Sequence, residues 1–83
     1  MHKATQRFWV SLENLPATVQ SIARKNFSLL KENPQHPSLH FKKVGRFWSA
    51  RIGMQYRALA IKDNEDFIWV WIGTHTEYEQ LVN

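Results

Sequence analysis

Apolar residues recur at helical spacing in the first third of the chain. Phe8, Leu12 and Leu15 stand at i, i+4 and i+7, which predicts an amphipathic helix. Pro16 suits the first turn of a second helix, whose apolar stripe is Val19, Ile22, Ala23, Phe27 and Leu30. The dipeptide Asn33-Pro34 ends it, because a residue before proline is disfavoured in the α conformation. The two helices are expected to form a hairpin that buries its stripes on another layer.

The pattern changes to short β-like runs after residue 38. Four strands are predicted, each bounded by glycine or polar turn residues: Leu39–Val44, Phe47–Ile52, Tyr56–Ile61 and Phe67–Ile72. A tight turn at Gly53–Gln55 makes a hairpin of the second and third strands. The fourth run is apolar throughout, which is typical of a central strand covered on both faces. Its Trp69 and Trp71 are expected on one face, and Gly73 is expected to end it.

A capping box predicts a final helix. Thr74 is followed three residues later by Glu77, and this spacing favours a helix from His75 to Val82. The order α-α-β-β-β-β-α gives an α+β fold class, with an N-terminal helical hairpin packed on a four-stranded antiparallel sheet and a short C-terminal helix. A short edge strand within residues 3–6 stays open. The length of 83 residues predicts a single domain over 1–83.

Charge is distributed unevenly along this basic chain, which has a formal net charge of +4 and a pI of about 9.8. No acidic residue stands between Glu32 and Asp63. The same stretch contains six basic residues, which are Lys42, Lys43, Arg46, Arg51, Arg57 and Lys62. Such a stretch indicates a surface for phosphates or for an acidic protein; the alternative is a basic face that only aids solubility.

Several site classes are disfavoured by composition. The chain has no cysteine, which excludes disulfides and thiolate metal sites. His2, His36 and His40 are scattered without carboxylates at ligand spacing, so no metal and no other cofactor is expected. The N-terminal segment has no long apolar stretch, so we expect no signal peptide or membrane span and a cytoplasmic location.

Four side chains are candidates for chemistry. Arg51 and Arg57 flank one hairpin and share a face only if the turn has an odd length, which the sequence leaves open. Arg57 could instead pair with an acid of the last helix or of the turn at 63–66. His75 starts a helix, where it could transfer protons or simply bond a carbonyl. Tyr78, one turn later, could lie beside it or only pack.

These segments together resemble a known family. The helical hairpin, the loop NPQHPSL, the hairpin FWSARIGMQYRALA and the ending GTHTEYEQL resemble, in order and length, the RelE/ParE toxin superfamily of bacterial type II toxin–antitoxin systems. The hairpin is similar to that of the YoeB branch and the ending to that of the YafQ branch. The resemblance implies a compact microbial RNase-like fold.

The resemblance also implies an activity. Many members are metal-independent endoribonucleases that cut mRNA in the ribosomal A site through attack of the RNA's own 2′-hydroxyl on the adjacent phosphate. Arg57 would hold that phosphate, Arg51 would assist, His75 would be the acid or base, and Tyr78 would support the substrate. The basic residues Lys42, Lys43 and Arg46 would contact the ribosomal RNA backbone. An acidic antitoxin encoded by the adjacent gene is the expected protein partner.

The chain departs from the family pattern at two places. The paired strand lysines of RelE are replaced by the segment 48–50, which reads Trp-Ser-Ala. The carboxylate base of YoeB has no evident match, and only His36 or His40 could substitute for it. Two alternative functions therefore stay open: a ParE-like poison of DNA gyrase, or a binding module of the same fold without nuclease activity.

Overall fold

The computed structural model describes residues 1–82, in which three α-helices pack on a five-stranded mixed sheet. The helices are α1 (Gln6–Glu13), α2 (Ala17–Glu32) and α3 (His75–Val82). The strands are β1 (His2–Ala4), β2 (Lys42–Val44), β3 (Phe47–Ile52), β4 (Tyr56–Asp63) and β5 (Asp66–Thr74). They lie in the order β1-β5-β4-β3-β2. The predicted α+β class, helical hairpin and C-terminal helix are confirmed.

The helical hairpin forms where the apolar spacing places it. The Thr5 hydroxyl accepts a hydrogen bond from the Phe8 backbone N–H at 3.1 Å and so caps α1. Phe8 and Leu12 of α1 and Leu30 of α2 are buried. These side chains join Trp69 of β5 in the main core cluster, so the hairpin covers one face of the sheet.

The predicted sheet of four antiparallel strands is wrong in one respect, because a fifth strand precedes α1. Strand β1 pairs in parallel with β5, with His2 opposite Phe67 and Ala4 opposite Trp69. The sequence left a strand near this position open but placed it within residues 3–6, of which Gln6 already begins α1. Three residues are too few for a period-two pattern to identify a strand.

The first predicted strand is shorter than expected. Pro37–Leu39 forms a 3₁₀ turn, and His40 follows it in the left-handed conformation with φ of 45°. Only Lys42–Val44 of the predicted range 39–44 is strand. The His36 imidazole accepts a hydrogen bond from the Ser38 backbone N–H at 3.2 Å, which stabilises the turn. Leu39 is fully buried beneath it.

The fourth predicted strand is longer than expected, because Gly73 does not end it. Gly73 lies within β5 opposite Arg57. A β-carbon at this position would clash with the indole ring of Trp71. Close packing, rather than a turn, therefore explains the glycine.

A β-bulge separates the two tryptophans of β5. The register between β4 and β5 shifts, so that Leu59 pairs with Trp71 whereas Ala60 pairs with Trp69. Because directly opposed residues share a face of the sheet, Trp69 faces the helical hairpin and Trp71 the other side. The prediction that both lie on one face is wrong, since a bulge breaks strict alternation.

Helix α3 lies against the face opposite the helical hairpin. Leu59 and Tyr78 are buried, yet neither belongs to the core cluster beneath the hairpin. Helix α3 contacts β4 and β5. Within residues 1–82 no helix is both long enough and apolar enough to traverse a lipid bilayer.

Candidate functional site

Arg51 and Arg57 lie directly opposite each other on β3 and β4. The three-residue turn at 53–55 joins the strands, and Gly53 adopts φ of 64° there. Opposed residues share a face, so both guanidinium groups project from the side of the sheet that α3 partly covers. We call this side, which also carries Ser49 and Leu59, the arginine face. The structure thus fixes the register that the sequence left open.

The ion pair that was the alternative interpretation of Arg57 is not formed within residues 1–82. No carboxylate of the described chain lies within 4.0 Å of either guanidinium. One Arg57 Nη1–H donates instead to the Tyr56 carbonyl at 2.8 Å. Burial lowers the pKa of Arg57 below its ordinary value, and the charge of Arg51 lowers it further, while Tyr78 and Glu79 act in the opposite direction. Two neighbouring cations that bind no carboxylate of residues 1–82 have the chemistry that suits a phosphate.

Arg51 is held rigidly at its backbone. Its carbonyl accepts a hydrogen bond at 2.9 Å from the Asn26 side-chain amide, which ties β3 to α2. Its side-chain Nε is buried and has no hydrogen-bond partner among the described residues. An unsatisfied buried donor is unfavourable until it meets an acceptor.

His75 is placed by two elements at once. It is the first residue of α3, and its backbone N–H donates to the Gln55 carbonyl in the hairpin turn at 2.7 Å. The capping box predicted before it is confirmed, since Glu77 Oε1 accepts from the Thr74 backbone N–H at 2.9 Å and the Thr74 hydroxyl accepts from the Glu77 N–H at 3.2 Å. These bonds bring His75 to the hairpin that carries both arginines.

The two imidazole nitrogens of His75 have different environments. Nε2 lies 2.6 Å from Glu79 Oε1, one helical turn later. Nδ1 is buried and has no partner among the described residues. Because an ionised carboxylate only accepts hydrogen bonds, the contact requires a proton on Nε2.

Tyr78 stacks beside the histidine. The two rings are 6.0 Å apart between centroids, with an interplanar angle of 23°. Tyr78 is 9 % exposed, so the half-exposed imidazole stacks on a ring that is itself buried. The structure therefore brings Arg51, Arg57, His75 and Tyr78 together at one end of the arginine face.

Several solved toxin structures have the same architecture. One chain of the RelB-RelE antitoxin–toxin complex of Methanococcus jannaschii matches with a TM-score of 0.74 at 12% identity, over 98% of this chain and 99% of that one. The YoeB/ParE toxin from Agrobacterium tumefaciens matches with a TM-score of 0.67 at 14% identity, over 89% and 96%. YafQ from Escherichia coli strain BL21(DE3) gives 0.63 at 10% identity, over 94% and 96%.

The chain has the RelE/ParE toxin fold. The resemblance predicted from the sequence is confirmed at this level. No family model matches the sequence, and no curated protein matches it significantly. At 10% to 14% identity to these three, the likeness concerns the fold, and what the site does must be argued from its own residues.

Three further basic residues were predicted to bind RNA, and the RelE-type sheet separates them. Lys42 pairs with Ser49, which places it on the arginine face. Lys43 pairs with Trp48 and so lies on the opposite face. The guanidinium of Arg46 stands 5.4 Å from the centroid of the Phe47 ring, in the turn between β2 and β3.

The contact between Glu79 and His75 was not predicted from the sequence. The signal was present, because residues four apart on a helix are neighbours, and His75 and Glu79 have this spacing. In residues 1–82, Glu79 supplies the only carboxylate within 4.0 Å of a nitrogen of Arg51, Arg57 or His75.

The scattered histidines lie in structural surroundings. The Nδ1 of His36 accepts from Ser38 in the 3₁₀ turn, and His2 packs among Phe67, Trp69 and other rings. Ser38 itself lines a surface depression together with Ile22, Asn26, Arg51, Gly53 and Met54. Within residues 1–82 no group of three or more histidine, aspartate or glutamate side chains is placed to hold a metal ion.

Proposed function

We propose that the chain is the toxin of a toxin–antitoxin pair and that it is an endoribonuclease. The observation that carries the proposal is the convergence of Arg51, Arg57 and His75 on one face, where no carboxylate of residues 1–82 pairs with either arginine. The neighbours that share the fold include the toxin partner of RelB, YafQ and a YoeB/ParE toxin. Cations beside a proton-transfer group are what cleavage of a phosphodiester requires.

The reaction is transphosphorylation within the RNA. The 2′-oxygen attacks the adjacent phosphorus, the bond from phosphorus to the 5′-oxygen breaks, and the products are a 2′,3′-cyclic phosphate and a 5′-hydroxyl. Arg57 and Arg51 bind the non-bridging oxygens and stabilise the added negative charge of the phosphorane. Two protons move in this reaction, one off the 2′-hydroxyl and one onto the leaving 5′-oxygen. His75 takes or gives one of them at Nε2, the nitrogen opposite the buried Nδ1, and water gives or takes the other.

The substrate in the cell is proposed to be mRNA on the ribosome. Lys42 and Arg46 extend the positive charge along the sheet from the arginine pair, which favours contact with an RNA backbone. A basic protein with a formal net charge of +4 also suits an acidic antitoxin as partner.

A second candidate is a binding module that acts on gyrase or on no target. One observation favours it: Nε2 of His75 is engaged by Glu79, while Nδ1 is buried, so neither nitrogen is free in this state. The module would keep the RelE/ParE fold without cutting RNA.

Expression in a bacterial host, with primer extension on abundant mRNAs, separates the two candidates. We expect growth arrest and codon-phased cuts from the wild type and neither from His75→Ala. Thr76→Ala is the matched control, because its side chain is exposed on the same helix turn. Arrest with broken DNA and intact mRNA would indicate gyrase, and unchanged cutting by His75→Ala would remove His75 from the mechanism.

A further inference from the structure

The contact between Glu79 and His75 lies where a substrate would have to bind. Nε2 is the nitrogen on the accessible side of the imidazole, because Nδ1 is buried. Glu79 Oε1 covers that nitrogen at 2.6 Å. A phosphate that approaches His75 therefore meets a carboxylate already in place.

Glu79 also acts on the neighbouring arginine. Its negative charge counters the two influences, burial and the proximity of Arg51, that lower the pKa of Arg57. The carboxylate thus contacts His75 directly and is near enough to Arg57 to influence the charge of its guanidinium. A carboxylate and a phosphate offer the same chemistry to these groups, namely anionic oxygens that accept N–H hydrogen bonds.

The carboxylate is held weakly. The side chains of His75 and Glu79 are 45% and 53% exposed, and the pair spans one turn of a helix of eight residues. Exposed pairs of this kind contribute little to stability. A phosphate bound by two arginines forms stronger charge-assisted hydrogen bonds and would repel the carboxylate.

We propose that Glu79 is an intramolecular competitor that occupies His75 Nε2 and is displaced when a phosphate group binds between His75 and the arginine pair. The proposal rests on the proposed function for the identity of the anion, which is an RNA phosphate. On this proposal Glu79 weakens the binding of the substrate phosphate, whereas Arg51 and Arg57 strengthen it.

Titration with inorganic phosphate tests this inference in the intact protein. Binding is followed by long-range ¹H–¹⁵N spectra of the histidines and by the side-chain carboxyl ¹³C signal of Glu79. In the wild type we expect both His75 Nε2 and the Glu79 carboxyl signal to move along one saturation curve. Phosphate saturation that leaves the Glu79 signal unmoved would overturn the displacement.

Two variants with the same net charge measure how strongly Glu79 competes with phosphate. Glu79→Gln removes the competing charge, and Glu13→Gln removes one charge from the exposed end of α1. We expect Glu79→Gln to bind phosphate about twofold more tightly than Glu13→Gln, or tighter still. Equal affinity in the two variants, weaker binding by Glu79→Gln, or no phosphate binding at His75 in any of the proteins would overturn the proposal.

The outcome is separable from that of the proposed function. Phosphate binding requires no RNA cleavage, so displacement of Glu79 stands even if the wild type leaves mRNA intact. Conversely, cleavage that is lost in His75→Ala while the two glutamine variants bind phosphate equally would remove only the inference about Glu79.

Discussion

At the scale of single residues, the opposed arginines are the unusual feature. Like charges directly opposite each other in an antiparallel pair are destabilising. Arg51 and Arg57 stand in this relation, and burial adds to the unfavourable environment of Arg57 by lowering its pKa. The fold therefore keeps an arrangement that an added anion would relieve, which is typical of a functional site.

Arg57→Gln should therefore improve stability and remove function. We expect the free energy of unfolding to rise by up to about 1 kcal/mol, because the repulsion with Arg51 disappears. Toxicity on expression should be lost, because the phosphate loses a ligand. Urea unfolding measures the first effect and growth after induction the second.

Arg7→Gln is the matched control, since Arg7 is exposed on α1 and makes no ion pair with the described residues. It should leave both stability and toxicity unchanged. A large loss of stability in Arg57→Gln would mean that Arg57 is a structural residue. Full toxicity in that variant would contradict its role at the phosphate.

The sequence identified the candidate residues of the site, but it did not predict the contacts that bring them together. The residue types and the strand and helix ends identified Arg57 and His75 as candidates. Their pairing depends on the length of the turn at 53–55 and on the bond from His75 to Gln55, which are tertiary details. The contact between His75 and Glu79 is different, because a spacing of four residues on a helix is enough to predict it.

At the scale of elements, β1 is held by a histidine that must stay neutral. The Trp69 indole N–H donates to His2 Nδ1 at 3.0 Å, which requires that nitrogen to be unprotonated. Burial lowers the pKa of His2 below its ordinary value of 6.5, and the positive charges of the amino terminus and of Lys31 lower it further.

Stability should consequently decrease in mildly acidic solution. The unfolded chain binds a proton at His2 more readily than the folded one, so the contribution of His2 is complete above about pH 6.5 and is lost as the pH falls through the lower folded value. The difference in unfolding free energy between wild type and His2→Phe should therefore decrease as the pH falls from about 6.5 to the lower pKa of His2 in the folded protein. Chemical unfolding at a series of pH values measures it.

Asp66 and Glu77 affect the stability at a more acidic pH than His2 does. A hydrogen bond with Lys3 lowers the pKa of Asp66 from 3.8, and one with the Thr74 backbone lowers that of Glu77 from 4.5. Their contributions are present above these ordinary values and lost below them. A constant difference between wild type and His2→Phe from neutral pH down to about pH 5 would contradict the role of His2.

Long periodic elements were predictable, and short or irregular ones were not. The helical stripes and the run Phe47–Ile52 gave the correct elements, because tertiary packing reinforces their local pattern. The three-residue strand β1 is defined by its pairing with β5. The bulge that turns Trp71 to the arginine face arises from the register between β4 and β5 and has no pattern of its own.

At the scale of the whole molecule, the sheet divides the basic residues between its two faces. Lys42 lies on the arginine face and Lys43 on the other, although they are adjacent in the sequence. Of the two, only Lys42 shares the face of Arg51 and could therefore extend the proposed RNA path. The charge of the chain indicates an anionic partner, but only the strand register shows that Lys42 and Lys43 lie on opposite faces of the sheet.

This pair of lysines provides an internal comparison. In a His75→Ala background that does not cut, Lys42→Gln should weaken RNA binding and reduce the slope of log affinity against log salt by about 1. Lys43→Gln should have a much smaller effect. Fluorescence anisotropy with a labelled single-stranded RNA measures both slopes, and equal losses from the two substitutions would contradict recognition by the arginine face.

We propose above all that the arginine face cleaves RNA by transphosphorylation and that His75 transfers a proton in this reaction. The most direct measurement is mass spectrometry of the RNA ends formed in a purified translation reaction, with wild type beside His75→Ala. We expect 2′,3′-cyclic phosphate and 5′-hydroxyl ends with the wild type and no new ends with the variant. New ends that carry a 3′-hydroxyl, or equal cleavage by both proteins, would contradict it.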